Sequence, residues 1–458
     1  MYDRDAIKRF TKAFHPFRDL TVDEIRTLAV HRVDDQRDRI LFALQSAADP
    51  GSVRLLLAGP RGVGKSQTLR SIASALSVVP PTGAPSDAFV PVVIDIGAEL
   101  PKQCTTAAWL PRLLAAVRAM RIEWGEPVNL AEPASVGAFG LRGWFSKLVT
   151  ALPKAGVMLT LVELGLRAAA PDDPALEAAA ATTKRAREAL DQIGEAGRVA
   201  AAHAPAPPEL RLLIDDLATE VQALSTAAGR PVALLLDGLD KRPTAEAVFE
   251  ALSDVDLLTV LPCALVLTGP TALTVDQRFG AQLVPGAMRS YLLPVMHVVA
   301  RDGTIDPVGA QAMVELFRRR WDGAQLGPCP FGDEALCALA RWSSGLPRTF
   351  LELVNETYRV VAMRHAAEVT DADIEEAVRQ SRHPLEATLN AATARTLTEA
   401  LRTGVVPTGE VHADLLMNNL LITRLNGATW CRPNELLIPL LEELARRTAP
   451  TDPGARQP

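Results

Sequence analysis

Apolar residues fall along this chain in two patterns. Short unbroken runs occur at VRLLLA (53–58), VPVVIDI (90–96), PVALLLD (231–237) and CALVLT (263–268). Runs of that length with no alternation predict strands buried on both faces. LLPVMHVV (292–299) predicts a fifth strand. Between the runs the spacing changes to three and four. It does so in QTLRSIASAL after the first run, from about Thr106 to Arg121, and in the stripe Leu210, Leu213, Leu217, Val221, Leu224, which Gly229 ends. Such spacing predicts amphipathic helices. Strands alternating with helices predict an α/β fold with a parallel sheet. Past residue 305 the strand runs stop. Helices are expected at about 307–320, 332–343, 347–364 and 371–381, the last capped by Thr370 or Asp371. Two more helical segments (385–402, 409–418), a hairpin at 420–432 and a helix at 434–446 complete the pattern of a winged helix. Asn426-Gly427 suits a type I′ turn in that hairpin.

Composition narrows the class. At 458 residues the chain is long enough for about three domains, and 48% hydrophobic residues can fill their cores. The net charge of −6 excludes a global basic footprint for nucleic acid, though not a local patch. Cys104, Cys263, Cys329, Cys337 and Cys431 have no paired spacing, so reduced thiols and a cytoplasmic location are expected. No run of ~18 apolar residues predicts a spanning helix. MYDRDAIKRF lacks the apolar region of a signal peptide. The stretch 144–170 is interrupted by Lys147, Lys154 and Glu163. It is too polar to span a membrane but suited to lie on one, or on a partner.

The chemistry concentrates after the first strand. GPRGVGKS matches G-x-x-x-x-G-K-[ST] through Gly59, Gly64, Lys65 and Ser66, with Gly62 inside the loop and Gln67 just beyond it. Glycines let backbone N–H groups wrap phosphates, and the helix that follows points its positive end at them. Lys65 is expected on the β- and γ-phosphates of ATP and the Ser66 hydroxyl on Mg²⁺. Ahead of and within LLLDGLDK four apolar residues, Ala233 to Leu236, deliver Asp237 at a strand's carboxyl end, a second Mg²⁺ group. Gly238 follows it where many ATPases place a catalytic Glu. Asp240 is the nearest spare carboxylate, either orienting the attacking water or capping the turn. A poorly placed base implies slow hydrolysis. Thr268 ends the fourth strand, as a phosphate or water sensor or as a plain turn residue. Arg289, ahead of the fifth strand, is either an arginine finger for a neighbouring subunit or a solvated Arg. In SSGLPR (343–348), Pro347 and Arg348 open a helix from which Arg348 either reaches the γ-phosphate or simply ends a turn.

Together GPRGVGKS, LLLDGLDK, the strand end LTGP and SSGLPR resemble the STAND class of P-loop NTPases, within or beside the AAA+ group. HRVDDQRDRILFAL, just before the loop, is similar to the segment that packs near adenine in initiator-type AAA+ ATPases. The resemblance covers roughly residues 25–380 without the insertion. With the Ala- and Pro-rich stretch at about 126–207 read as a helical insertion, the expected domains are a P-loop NTPase core over 1–300, a helical lid over 301–381, a winged helix over 382–448 and a disordered tail over 449–458. The resemblance implies an ATP-dependent switch that oligomerises or engages a separate effector or sensor protein. By position it assigns Lys65, Ser66 and Asp237 to nucleotide and Mg²⁺, and Pro347 and Arg348 to sensing in the lid. Two features depart from it. Lys241 stands where the family often has Glu, and 172 residues separate Lys65 from Asp237.

Three functions compete at this stage. One is a signalling ATPase of a bacterial stress or antiviral defence system. Another is a DNA-loading or transposition-type ATPase. The third is a KAP-like ATPase at the membrane periphery. From Arg382 to Arg447 seven basic residues face seven acidic ones, and GEVHADLLMNN carries acids without Lys or Arg. That helix is expected to be exposed, so protein is a better partner for the wing than nucleic acid.

Overall fold

The computed structural model describes residues 4–16, 35–78, 88–96, 106–125, 208–242, 244–252, 260–275, 288–405, 410–426 and 428–448, together with Leu20 and Glu24. The expected insertion at 126–207, with its apolar stretch 144–170, lies outside them, as do Cys104, residues 31–34 and the tail.

Five parallel strands form one sheet: β1 (Arg54–Ala58), β2 (Val90–Asp95), β3 (Val232–Asp237), β4 (Ala264–Gly269) and β5 (Arg289–Leu292), in the order β2-β3-β4-β1-β5. The first four match the apolar runs to within a residue. The fifth begins earlier than expected. Arg289 lies inside the strand, and the Leu293 N–H still reaches the Ala58 carbonyl at 2.8 Å. Pro294 then has no N–H to continue the ladder, so most of LLPVMHVV runs on outside it.

Alternation along the strands separates two cores. Leu55, Leu57, Ala233, Leu235 and Val266 face helices α2 (Gln36–Gln45) and α3 (Lys65–Leu76). Leu56, Leu234, Leu236, Leu265 and Leu267 face α4 (Thr106–Gly125) and α5 (Pro208–Ala228). The Leu210–Leu224 stripe is buried there as its spacing requires. Helices α4 and α5 flank the insertion and lie against each other, tied by Arg118 and Arg121 to Glu220 at 3.0 and 2.9 Å. Short helices α6 (Ala245–Ala251) and α7 (Ala272–Val275) follow β3 and β4.

The lid is four helices: α8 (Pro307–Gly323), α9 (Asp333–Trp342), α10 (Pro347–Arg364) and α11 (Asp371–Glu386). Thr370 is the N-cap of α11, in a capping box with Asp373. An N-terminal helix, α1 (Arg4–Ala13), caps this core and was not foreseen. Its Phe10 stacks on Tyr358 at 3.8 Å and the neighbouring Phe14 packs on Phe317 at 5.1 Å, while Asn355 and Arg320 hold the Phe14 and Ala13 carbonyls.

The last unit comprises α12 (Ala391–Thr403), α13 (Glu410–Met417), the hairpin β6 (Leu421–Asn426) and β7 (Ala428–Pro433), and α14 (Ile438–Thr448). The hairpin register puts Leu425 opposite Thr429 and Asn426 opposite Ala428. Gly427, and with it the expected type I′ turn, lies outside the described residues. A larger correction concerns α13. It is not exposed: His412, Ala413, Leu415, Leu416 and Met417 are buried, in a core continuous with the sheet, against α6 and α7. Five buried positions in eight residues need a partner surface, and the carboxyl end of the parallel sheet supplies it. This sheet order, the glycine loop after β1, the helical lid and the winged helix make the AAA+ form of the P-loop NTPase fold.

Candidate nucleotide site

The carboxyl ends of β1, β3 and β4 are neighbours, so the three polar segments that follow them converge. That edge is where ligands of open α/β sheets bind. After β1 the loop turns through Gly62 and Gly64, at φ +79° and +107°, into the first turn of α3. A Cβ at Gly62 would lie 2.6 Å from that of Arg348, so only glycine lets the lid approach this closely.

Lys65 is buried at 3% exposure. Its ammonium donates to the Gly59 and Pro60 carbonyls, both at 2.8 Å, and pairs with Asp240 Oδ2 at 2.7 Å. The Asp240 carboxylate therefore neither caps the turn nor stands free beside a water. It occupies the ammonium that a phosphate would use. Burial alone would raise the Asp240 pKa, but Lys65, with Lys241 and Arg61, holds it below the ordinary range.

Asp237 ends β3 at 5% exposure. Thr268 donates to its Oδ1 at 2.7 Å and accepts the Gly238 N–H at 3.0 Å, and Ser66 also hydrogen-bonds the carboxylate. Burial, then the charge of Asp240, pushes the Asp237 carboxyl up, against the pull of the Ser66 and Thr268 bonds and of Lys241. A hard cation between Ser66 and Asp237 would reverse that penalty. The oxygen donor set fits Mg²⁺, which takes few protein ligands and completes its shell with phosphate and water. Among the described residues no cluster of three or more His, Cys, Asp or Glu offers a separate metal site. Gln67 lies one residue further into α3, its Oε1 buried without a hydrogen-bond partner.

Pro347 and Arg348 open α10 over the loop. The Arg348 N–H donates to the Gly62 carbonyl at 3.2 Å, and the Arg348 side chain covers Gly62. Its charge also bears on Arg61 and on Glu352, whose carboxyl is pushed up by burial and drawn back by Arg348. Arg289 is not brought to this site. It begins β5 opposite Leu55, about 10 Å along the strand from Leu292 beside the loop. It is exposed, 5.8 Å from the Tyr291 ring, on a cleft of about 740 Å³ shared with Asp35, Arg39, Phe42 and Leu425.

Several residues enter that motif reasoning missed. Arg61, a variable position of the loop, donates through Nε to the Asp240 carbonyl at 2.6 Å and through Nη2 to the Arg242 carbonyl at 2.7 Å, lacing the loop to the turn after β3. Asn419, just past α13, donates to the Arg61 carbonyl at 2.9 Å. Asn434 donates to the Asn419 carbonyl at 3.1 Å. Ser344, in the lid turn, donates to Asn434 Oδ1 at 3.3 Å and accepts the Glu435 N–H at 2.8 Å. A hydrogen-bonded relay thus runs from lid to winged helix to phosphate loop. Gly345 anchors the same turn to the segment after β5 by accepting the Met296 N–H at 3.0 Å, in a position where any Cβ would collide with the Met296 carbonyl.

No family model matches the sequence, and no curated protein does. Solved structures are similar in chain course. A Drosophila ORC bound to DNA is 12% identical, with TM-score 0.36, over 96% of this chain and 93% of that one. The Aeropyrum pernix ORC1 protein in complex with DNA is 13% identical, with TM-score 0.38, over 93% and 96%. Cdc6p from Pyrobaculum aerophilum is 11% identical, with TM-score 0.37, over 95% and 98%. At these values no function is taken from the likeness, and the site rests on its own geometry.

Proposed function

We propose that the protein is an ATP-binding, slowly hydrolysing AAA+-type ATPase whose nucleotide state sets the positions of its lid and winged helix. One observation carries this reading: the phosphate loop is held at once by the lid, through Arg348, and by the winged helix, through Asn419. Triphosphate in the loop must take Lys65 from Asp240, which disturbs the turn that Arg61 laces to the same loop. Binding energy is thereby coupled to the two mobile units. Lys65, the loop glycines Gly59, Gly62 and Gly64, Gln67 and Arg348 hold the triphosphate. Ser66 and Asp237 hold Mg²⁺, which when bound neutralises charge on the transferred phosphoryl group. Thr268 fixes the Asp237 rotamer. Arg289, exposed on an edge strand, serves a neighbouring copy if the chain oligomerises. Lys65→Ala tests the assignment. It should abolish binding of a fluorescent ATP analogue while the chain still folds, with a lowered melting temperature because Asp240 loses its buried partner. Equal affinity in the mutant would overturn the site.

For the partner, we place DNA loading ahead of stress or defence signalling. Two helices and a hairpin form a helix-turn-helix-type unit, which uses its second helix in the major groove. The apolar face of α13 is buried and Asp414 stays exposed, so DNA binding through this helix needs its release from the sheet and a basic surface from other parts of the chain. Salt-sensitive duplex binding by the full chain, stronger with ATP than with ADP, is the expected result. Binding that ignores both salt and nucleotide would return the wing to a protein partner.

A further inference from the structure

The parallel sheet has an open edge. Strand β5 comes last in the strand order and pairs with β1 alone. The Leu293 N–H reaches the Ala58 carbonyl, and this fixes which main-chain groups face β1: those of Arg289, Tyr291 and Leu293. The N–H and C=O groups of Ser290 and Leu292 therefore point outward. Among the described residues none of these four groups has a hydrogen-bond partner. We propose that this edge docks an extended peptide segment of a partner protein, carrying an acidic side chain for Arg289 and apolar side chains for the cleft alongside. Nucleotide plays no part in this docking, so it stands or falls apart from the ATPase reading.

The cleft has the shape that such a segment needs. It measures about 740 Å³, and all four residues of β5 line it. Successive residues of a strand point to opposite faces, so only the outer edge can present all four together. The rest of its wall comes from α2 and the residues beside it, and from Leu425 of β6. Ile40 and Leu44 turn the core face of α2 toward Tyr291. Phe42 is left on the outside, 72% exposed, and Leu425 is 41% exposed. An added strand would bond the outward groups of Ser290 and Leu292 and lay alternate side chains against these two. Four residues span only about 13 Å, so side chains must supply much of the affinity.

Charge selects the segment. Asp35 is paired with Arg39 at 2.9 Å, and Asp38 with Arg37 at 3.0 Å. Arg289 has no acidic partner among the described residues, and its guanidinium lies 5.8 Å from the Tyr291 ring. The unbalanced charge of the cleft is thus one arginine fork on the edge strand itself, a group matched to a carboxylate.

The test uses the full chain and a displayed library of random ten-residue peptides. Selection on the wild type should enrich peptides with apolar residues at alternate positions and an acidic residue at a fixed spacing from them. A fluorescent synthetic peptide of that consensus then reports affinity by anisotropy. Ser290→Pro removes one outward N–H and leaves the bonds to β1 in place. It should bind about tenfold more weakly, and Ser290→Ala within about twofold of wild type. Arg289→Glu should lose about tenfold or more for the acidic peptide, and recover it for the same peptide with Lys in place of the acid. That charge exchange is read in a variant altered only at an exposed side chain, so it decides the matter if circular dichroism shows Ser290→Pro unfolded. No enrichment, or binding indifferent to Ser290→Pro in the folded state or to the charge exchange, overturns the proposal. Displacement of the peptide by adenosine would give the cleft to a nucleotide base. Self-association of the wild type that Ser290→Pro abolishes would give the edge to a second copy. Either result also overturns it.

Discussion

At the scale of single residues, the site is a set of charges that partly satisfy one another. Lys65 has Asp240, Lys241 has Asp95, and Asp237 has only hydroxyl donors and distant ammonium groups. The Asp237 carboxyl is accordingly the strained member. Its folded pKa lies above the ordinary carboxylate value. Its burial therefore favours folding while the group is protonated, and that contribution is lost as pH rises through the folded pKa. Asp237→Asn removes the ionisation and keeps a hydrogen-bond acceptor for Thr268. It should raise the nucleotide-free melting temperature near neutral pH by about 2 °C or more, with the gain shrinking in acid, while Mg²⁺-dependent ATP binding is lost. Scanning calorimetry across pH checks both signs, and a lowered melting temperature at neutral pH would contradict the reading. Lys65, Ser66 and Asp237 were legible in the sequence because local motifs name them. Asp95, Arg61 and Asn419 were not. Asp95 depends on which strand lies beside β3, and Asn419 meets Arg61 across 358 positions of chain.

Among elements, the strands were legible where burial on both faces gives an unbroken apolar run. The edge strand β5 was misplaced because its pairing stops at Pro294 while its apolar run continues. Helix α13 was read as a free surface because eight residues carry no sign of what covers them. The hairpin next to it holds an instructive exception to apolar packing. Arg424 of β6 is fully buried, with its guanidinium 5.5 Å from the Trp430 ring and 3.4 Å from the Ser344 carbonyl. Its Nε and Nη1 have no hydrogen-bond partner, and burial pushes its pKa down to about 10. Glu435 is bound instead by Arg432 at 2.7 Å. A buried cation so poorly matched costs the closed arrangement stability. Arg424→Met keeps the volume and removes the charge. It should stabilise the chain by roughly 1 kcal/mol or more against denaturant and slow the release of the winged helix from the lid. Destabilisation by that substitution would show that the guanidinium is better matched than its contacts indicate.

The whole molecule places one small turn, Ser343–Leu346, among three bodies. Gly345 binds the sheet domain, Ser344 binds the winged helix, and Arg348 just beyond lies on the phosphate loop. Helix α13 meanwhile is packed on α6 and α7, above the strand ends that carry Asp237 and Thr268. Lid and winged helix both hold the loop, through Arg348 and Asn419, and no helix of the described residues is long and apolar enough to cross a membrane. The central claim is that filling the loop moves the winged helix. It is tested most directly by the distance between two spin labels, one on the exposed face of α2 and one on α14, measured by pulsed electron resonance in the full chain with and without ATP and Mg²⁺. The account expects a new, longer distance with ATP in the wild type, none in Lys65→Ala, and a weakened response in Arg348→Ala at an affinity within about tenfold of wild type, since one charge-assisted contact is worth ~1.5–3 kcal/mol. An unchanged distance in a wild-type chain shown to be saturated with ATP would contradict it.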